Sequence, residues 1–213
     1  MSSRQELEST NIYRDRELPR TSRYLRCPFS RSTMAEEPLF DLHLVSNLLY
    51  PIVDMPIPTE EKIHPWRPDR SQPFVMPFLG IWDHCSGSQP NEENCMMSRA
   101  PHQRLDTFES RKTSLTTHLN YKEWSPTPCI SFTDSEAAVE DLAAMRSLLR
   151  KRGNQTLIVI DPDTRLRNGL PVLDVVAEME YYNIVDPYGK SNQYYNGHYI
   201  CLWQVTEREI VGH

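Results

Sequence analysis

Five residues in the second half of the chain have side chains suited to catalysis or to ligand binding. Ser131 and Thr133 stand two residues apart in a predicted short strand, and such residues point to the same side of a strand. His118 and Trp124 precede that strand closely, and His198 opens the last predicted strand. We therefore take Ser131, Thr133 and His198 as candidate catalytic residues. His118 and Trp124 are candidate ligand-binding residues.

Each of these candidates also has an ordinary structural interpretation. Thr133 could cap a helix, Ser131 could face solvent on its strand, and His118 could be a hydrogen-bonded helix residue. Trp124 could be a core aromatic. Both interpretations stay open at this point.

Other kinds of site lack a sequence signal. Histidines and cysteines cluster in the middle of the chain, but none has the paired spacing of a structural zinc site: His84, Cys85, Cys95, His102 and His118. The chain has no G-x-S-x-G nucleophile elbow, no phosphate-binding loop and no dinucleotide fingerprint. The motifs therefore predict neither a metal nor a cofactor. Cys129 and Cys201 lie in predicted strands and are expected to be small buried hydrophobic residues.

A strand, a helix and a second strand should position the central candidates. Pro128 lacks an N–H, so the first strand begins after it, at residues 129–132. Thr133 and Glu136 form a capping-box pattern for a helix with an apolar stripe that is repeated at helical spacing: Ala138, Val139, Leu142, Met145, Leu148 and Leu149. Residues 150–152 are basic and Gly153 fits the C′ position, so the helix should end there. Residues 157–160 predict a buried strand that Asp161-Pro162 closes.

The flanking segments predict a few further elements. Residues 74–82 predict a strand, where Pro77 indicates either an edge position or a start at Phe78. Residues 83–112 read as loop. Residues 113–121 predict a short helix, and residues 172–181 predict another that begins at Pro171. Residues 199–205 predict the closing strand.

The first part of the chain has a different composition. Twelve of the 17 prolines lie within the first 101 residues. Residues 1–36 predict a disordered basic tail of net charge +2, and the remainder carries −8. Residues 37–73 predict an apolar helix, which docks on the core or binds a partner, and then a proline-rich strap. Residues 74–213 predict the α+β domain.

Charge and cysteine content limit the function classes. The net charge of −6 argues against nucleic-acid binding except through residues 1–36, which could also contact an anionic membrane or an importer. The chain has no run of about 18 apolar residues and no apolar leader, so we expect no membrane span. Five widely spaced cysteines are typical of reduced thiols in a cytoplasmic or nuclear protein.

Several segments in order carry a family resemblance: FLGIWDHCSGS, THLNYKEW, SPTPCISFTDSEAAVEDLA, LIVIDPD and YICLWQVTEREI. Over residues 74–212 the chain resembles an uncharacterised fungal domain family that looks like a reduced ADP-ribosyltransferase fold. In those enzymes an arginine on the first strand holds NAD, a Ser-x-Ser/Thr strand builds the site, and a glutamate near the last strand contacts the ribose.

The resemblance implies a position in this chain for each of those groups. Residues 131–133 stand at the Ser-x-Thr position. The arginine position falls on Gly80 or Ile81, and the glutamate position falls near His198. Glu207 and Glu209 lie beyond the last strand. Two of the three functional residues are therefore replaced.

We accordingly expect an α+β fold, a small twisted mixed sheet with two or three helices, preceded by the proline-rich strap. The expected function is an intracellular protein-interaction module on a degenerate ADP-ribosyltransferase-like fold, without a cofactor and with an unknown protein partner. One alternative is an active NAD-dependent ADP-ribosyltransferase with atypical site residues. Another is a nucleic-acid accessory protein that acts through its basic tail.

Overall fold

The structure is a computed structural model that describes residues 41–53, 58–66, 74–149 and 152–212. The predicted basic tail and parts of the predicted strap lie outside these residues. The helices are α1 (Leu42–Leu49), α2 (Glu60–Ile63), α3 (Phe108–Leu119), α4 (Glu136–Ser147), α5 (Pro162–Arg167) and α6 (Val175–Tyr181). The strands are β1 (Phe78–Trp82), β2 (Met96–Met97), β3 (Cys129–Thr133), β4 (Thr156–Ile160), β5 (Val172–Asp174), β6 (His198–Leu202), β7 (Gln204–Val205) and β8 (Ile210–Gly212). Two short 3-10 helices cover Asn192–Tyr195 and Glu207–Glu209.

The α+β class is confirmed. Six strands form one sheet in the order β5-β6-β3-β1-β4-β8, and β2 pairs with β7 in a second sheet. Every neighbouring pair among the described strands is antiparallel, where the sequence predicted a mixed sheet. The described residues hold six α-helices, and four of them lie in the predicted domain, one more than expected, because the short helix at residue 162 carries too few residues to show a period. No helix among them is long and apolar enough to cross a membrane.

The two faces of the large sheet bury different cores. Side chains alternate along β3, so Ile130 and Phe132 join one apolar cluster with Phe78, Ile158 and Ile160. Cys129 joins the other cluster, which contains the buried apolar side chains of α1, α3 and α6. Ser131 and Thr133 therefore lie on the face of this second, larger cluster.

The central strand–helix–strand unit is present, but its details differ from the prediction. Ser135, not Thr133, caps α4, since its side chain accepts from the Ala138 N–H while Thr133 is the last residue of β3. The helix ends at Ser147, so Leu148 and Leu149 lie beyond it and are exposed. Gly153 has the predicted positive φ of 68°, but six residues after the helix end. The helix therefore has a narrower buried stripe than its sequence suggested.

Two strand predictions also need correction. β1 begins at Phe78 as one alternative predicted, but it lies inside the sheet between β3 and β4 and not at an edge. Pro77 precedes the strand and removes no ladder hydrogen bond, so it does not force an edge position. The strand over residues 156–160 is not buried on both faces, because Leu157 is 44% exposed.

The predicted first residue of a helix is wrong where a polar residue caps the helix earlier or later in the chain than the apolar spacing indicates. α3 begins at Phe108 instead of Thr113, because Thr107 and Ser110 form a capping box. The predicted helix over residues 172–181 is divided into β5 and α6, where Asp174 caps α6. Asp161 caps α5, whose first residue is Pro162, so this pair opens a helix as well as closing β4.

The apolar segment near residue 40 forms α1 and packs into the larger core. Val45, Leu48 and Leu49 are buried there. Part of the following strap is also held firmly: Trp66 is buried and lies against the Arg111 guanidinium, 4.3 Å from its ring centroid. Arg111 in turn pairs with Glu61 at 2.5 Å. This first part of the chain therefore completes the core.

The predicted closing strand breaks at Trp203. This residue is fully buried and has a left-handed φ of 63°. Its backbone N–H donates to the Pro128 carbonyl at 2.6 Å, while the Ser98 N–H donates to the Trp203 carbonyl at 2.7 Å. The chain thereby leaves β3 at this point and pairs β7 with β2 instead. This turn joins the two sheets.

Candidate functional site

The candidate site is centred on Ser131 in the middle of β3. The Ser131 side chain is exposed, although its strand lies inside the sheet. Helix α3 packs on β3 and buries Leu115 in the larger core. This packing brings His118, in the last turn of α3, over Ser131, with 2.6 Å between the His118 Nε2 and the Ser131 Oγ. The structure therefore joins one predicted catalytic residue to one predicted ligand-binding residue.

The other nitrogen of the His118 ring lies next to a buried hydroxyl group. The His118 Nδ1 lies 3.2 Å from the Thr127 Oγ1, and Thr127 is buried. Burial, together with the positive charge of Arg99, lowers the pKa of His118 to about 4. The imidazole is therefore neutral at pH 7, with one nitrogen free of a proton to accept a hydrogen bond.

Arg99 is a residue of this site that the sequence analysis missed. Its Nη1 donates to the Trp124 carbonyl at 2.7 Å, and its guanidinium lies 5.3 Å from the Trp124 ring centroid. Burial lowers the pKa of Arg99 against the opposing effects of Cys129 and the Glu123 carboxylate, and within the described part of the chain no carboxylate lies within ion-pair distance of it. No motif surrounds Arg99 in the sequence, so only the packing of its loop could reveal it. The site thus contains a partly buried cation.

Trp124 is 36% exposed, so the interpretation as a core aromatic does not hold. Next to it Tyr121 is 65% exposed and stacks on Tyr188, with 4.2 Å between the ring centroids. The loop after α3 therefore presents aromatic rings beside the histidine–serine pair.

Thr133 and His198 lie further along the same face. Thr133 and His198 are directly opposite each other in the β3–β6 ladder. On this face they are the next pair after Ser131 and Ile200. The Thr133 Oγ1 donates to the Gly197 carbonyl at 2.7 Å and accepts from the Ser135 N–H at 3.1 Å. The Thr133 hydroxyl therefore links β3 to the turn before β6, and its role is structural.

His198 is partly buried among aromatic side chains. Its ring lies 5.8 Å from that of Tyr194 and 5.9 Å from that of Tyr195. Burial and the charge of Lys190 lower the pKa of His198, so it is also neutral at pH 7. A neutral imidazole here can exchange hydrogen bonds but supplies no charge.

Neither of the two positions that the resemblance assigns to a charged group carries a charged side chain. A Cβ on Gly80 would lie 3.0 Å from the Phe132 ring, so Gly80 faces the side opposite to Ser131. Ile81, the next residue of β1, shares the face of Ser131 but is apolar. Glu209 is fully buried and pairs with Arg165 at 2.8 Å, whereas Glu207 is exposed in a 3-10 helix.

The remaining candidate chemistries find little support in the described residues. No group of three histidine, cysteine, aspartate or glutamate side chains there could hold a metal ion. Burial raises the pKa of both Cys129 and Cys201 to about 12, against smaller opposing effects of Arg99 and Arg165. Both thiols are therefore protonated at pH 7 and are not nucleophiles.

Comparison with known proteins assigns the domain. A family model described as a domain of unknown function (DUF7587) matches residues 81–213, which is more than half of the chain, and the chain therefore belongs to this family. This agrees with the predicted match to an uncharacterised domain family over residues 74–212. No curated protein and no solved structure matches the chain.

Proposed function

We propose that this chain is a protein-interaction module on a degenerate ADP-ribosyltransferase-like fold, acting in the cytoplasm or the nucleus of a fungal cell. Its binding surface is the face of β3 and β6 around Ser131, together with the loop that carries Trp124. The module needs no cofactor.

The observation that carries this proposal is the location of Gly80 and Ile81. Dinucleotide phosphates need a fixed cation or a cradle of backbone donors. Gly80 packs against Phe132 on the wrong face, and Ile81 on the correct face offers no charge. The carboxylate that would face the ribose is replaced by His198, which is neutral at pH 7. These substitutions support the loss of NAD chemistry.

What the face retains is suited to binding a protein. Tryptophan, tyrosine and arginine are enriched among the residues that contribute most to protein interfaces. Trp124, Tyr121 and Arg99 are grouped here: the Arg99 guanidinium lies against the Trp124 ring, and Tyr121 stacks on Tyr188. The free thiols of the described cysteines support a reducing compartment.

The test has two measurements on the full chain. In the first, purified protein is incubated with labelled NAD, and nicotinamide release is compared with that of a Ser131→Ala, His198→Ala double variant. We expect no release above background in either protein. Release that the wild type shows and the double variant lacks would refute the degenerate assignment.

In the second measurement, cross-linked partners are quantified for the wild type, for Trp124→Ala and for a matched control. Leu148→Ala is the control, because Leu148 is an exposed apolar side chain just after the end of α4, outside the loop that carries Trp124. We expect a set of partners that Trp124→Ala loses and Leu148→Ala keeps. Equal capture by all three proteins would contradict the assigned surface.

The second candidate is an active transferase with atypical residues. Arg99 favours it, since this cation acts on His118 and lacks an ion-pair partner among the described residues. In that case NAD turnover would be present in the wild type and lost in Arg99→Met. The NAD measurement therefore separates the two candidates.

A further inference from the structure

Ser131 has the hydrogen-bonding surroundings of an activated nucleophile. Its Oγ lies 2.6 Å from the His118 Nε2, within the range that nucleophile–base pairs adopt. The serine is exposed, so a ligand can reach the hydroxyl without a change of the fold. The two side chains come from β3 and α3, both of which are anchored in the larger core through Cys129 and Leu115.

The opposite side of the His118 ring determines which nitrogen carries the proton. The Thr127 Oγ1 lies 3.2 Å from the His118 Nδ1, and the Thr127 hydroxyl also hydrogen-bonds with Cys129. A threonine hydroxyl has one proton, and when that proton points to the Cys129 sulfur, the oxygen accepts from the Nδ1–H. The Nε2 then keeps its lone pair toward the Ser131 hydroxyl. This orientation lets the Nε2 accept the serine proton, and the weak basicity that goes with a pKa of about 4 sets the expected acceleration at the low end of the usual range, about 100-fold.

A cation stands close to the same pair. The Arg99 charge reaches both His118 and Cys129, since it affects the pKa of each. One guanidinium nitrogen is bound to the Trp124 carbonyl, and the other two have no acceptor among the described residues. The Arg99 charge disfavours a proton on His118, so the ring stays neutral and keeps a lone pair at pH 7.

We propose that Ser131 is a nucleophilic serine, with His118 as its general base, and that it accepts acyl groups from small activated esters. Thr127 is a positioning residue that fixes the tautomer of His118. This activity is separate from NAD chemistry and goes beyond the proposed interaction function.

The acyl transfer balances without a further reactant. The Ser131 oxygen forms a bond to the carbonyl carbon of the ester, and the serine proton moves to the His118 Nε2. Collapse of the tetrahedral intermediate breaks the bond between that carbon and the ester alkoxy oxygen, and the His118 proton goes to the departing alkoxide. The products are an acyl-serine and a free alcohol, with His118 neutral again.

The site is open on one side, so the donor class is restricted to small esters with a good leaving group. An exposed serine holds no long acyl chain by burial, and the partly exposed side chains around it are polar or aromatic: His118, Trp124 and His198. A fluorophosphonate probe and p-nitrophenyl acetate belong to the electrophiles that such a serine attacks. The first reports the covalent adduct, and the second reports the released p-nitrophenolate.

The chain contains a matched control for this reactivity. Ser125 is also exposed, and its hydroxyl donates to the Glu123 carboxylate at 2.6 Å. Both serines therefore make one short hydrogen bond to a proton acceptor at the surface. They differ in that the acceptor of Ser125 has no neighbour like Thr127 to orient it.

The experiment treats the full chain at pH 7.5 with a fluorophosphonate probe and maps the adducts by mass spectrometry. In the wild type we expect Ser131 to react faster than Ser125 by roughly 100-fold, the usual effect of a positioned general base. Ser131→Ala should abolish the main adduct, and Ser125→Ala should leave it unchanged. His118→Gln should slow it by roughly 100-fold.

Thr127 has its own readout. Thr127→Val should lower the labelling rate of Ser131, and Thr127→Ser, which restores a hydroxyl, should recover it. A structural role alone would predict similar rates for both variants when both are folded. Circular dichroism of each variant reports whether it is folded.

Two results would overturn the proposal. One is a wild-type adduct ratio of Ser131 to Ser125 near one, a measurement that needs no variant to fold. The other is an unchanged Ser131 labelling rate in a folded His118→Gln variant. Neither result bears on the loss of NAD turnover or on the partners that Trp124→Ala loses, so the proposed interaction function is judged separately.

Discussion

Replacing Glu209 by glutamine should destabilise the domain far more than the same change at Glu207, two residues earlier. Glu209 and its partner Arg165 are both fully buried, with 2.8 Å between the Glu209 Oε2 and the Arg165 Nη1. Glutamine keeps the size of the side chain and an acceptor for Thr206, which bonds the other carboxylate oxygen. The change therefore removes the negative charge and turns an amide NH2 toward Arg165 in place of the oxygen that accepted from it.

The magnitude follows from what remains. Arg165 also donates to three buried carbonyls, those of Pro171, Leu202 and Gln204, so it stays in place with an uncompensated charge. Removing one partner of a buried ion pair costs about 3–5 kcal/mol. Because the three carbonyl bonds survive, we expect about 3 kcal/mol, a large part of the 5–15 kcal/mol that domains usually have. Glu207→Gln, at an exposed site, should stay within about 0.5 kcal/mol.

Urea denaturation followed by tryptophan fluorescence measures both variants, since Trp203 is buried and its environment changes on unfolding. An Arg165→Met, Glu209→Gln double variant should lose less than the sum of the two single variants, because the second change no longer strands a charge. A Glu209→Gln variant as stable as Glu207→Gln would refute the reasoning that this buried pair needs both charges.

Three further predictions concern the sheet and the site. Because the pKa of His118 is lowered to about 4 in the folded chain, the unfolded chain binds more protons between pH 4 and 6.5, and the free energy of unfolding should fall by at most about 3 kcal/mol as the pH decreases through that window. Urea denaturation of the wild type and of His118→Gln across that range isolates the contribution of His118. An identical pH dependence of the two proteins would contradict this prediction. Val139→Ala, at the buried position of α4, should cost about 2 kcal/mol for two lost methyl groups and their cavity, whereas Glu140→Ala on the exposed side should stay within about 0.5 kcal/mol. Equal losses of the two variants in chemical denaturation would show that the buried face of α4 is assigned wrongly. Gly80→Ala should cost about 1–3 kcal/mol in thermal unfolding, because its Cβ would press on a buried ring at 3.0 Å, and Gly212→Ala, with its nearest neighbours at 3.7 Å, is the control that should change little.

The parts of the fold that the sequence predicted well have strong local signals. β3 begins directly after Pro128, and β4 coincides with a β-branched run, so their positions depend on neighbours in the chain. Elements that rely on distant partners were missed. β8 has three residues and exists because it pairs with β4. The break at Trp203 requires the carbonyl of Pro128, 75 positions away in sequence, to accept its N–H.

Caps explain most of the misplaced helix boundaries. Apolar spacing showed that a helix lay near residues 113–121, but the start depends on the capping box of Thr107 and Ser110, which stands among polar residues without an apolar period. The same applies to Ser135, which competes with Thr133 two residues earlier. Thr133 fitted the spacing of a capping box, yet the pairing of β3 with β6 extends the strand through it. Tertiary pairing therefore overrode a correct local pattern.

The candidate site was predictable in its centre but not in its chemistry. Spacing along one strand correctly placed Ser131 and Thr133 on a common face. The sheet also places His198 opposite Thr133, a pairing that the sequence did not specify. The contact between His118 and Ser131 could not be predicted, because it depends on how far α3 runs before it ends and on the angle at which it crosses β3. Arg99 and Thr127 had no signal at all, since one lies in a loop and the other looks like a turn residue between two prolines. Yet these two determine the state of His118: Thr127 orients the ring, and Arg99 helps to keep it neutral. The residues that decide what Ser131 can do are therefore those that the fold adds around it.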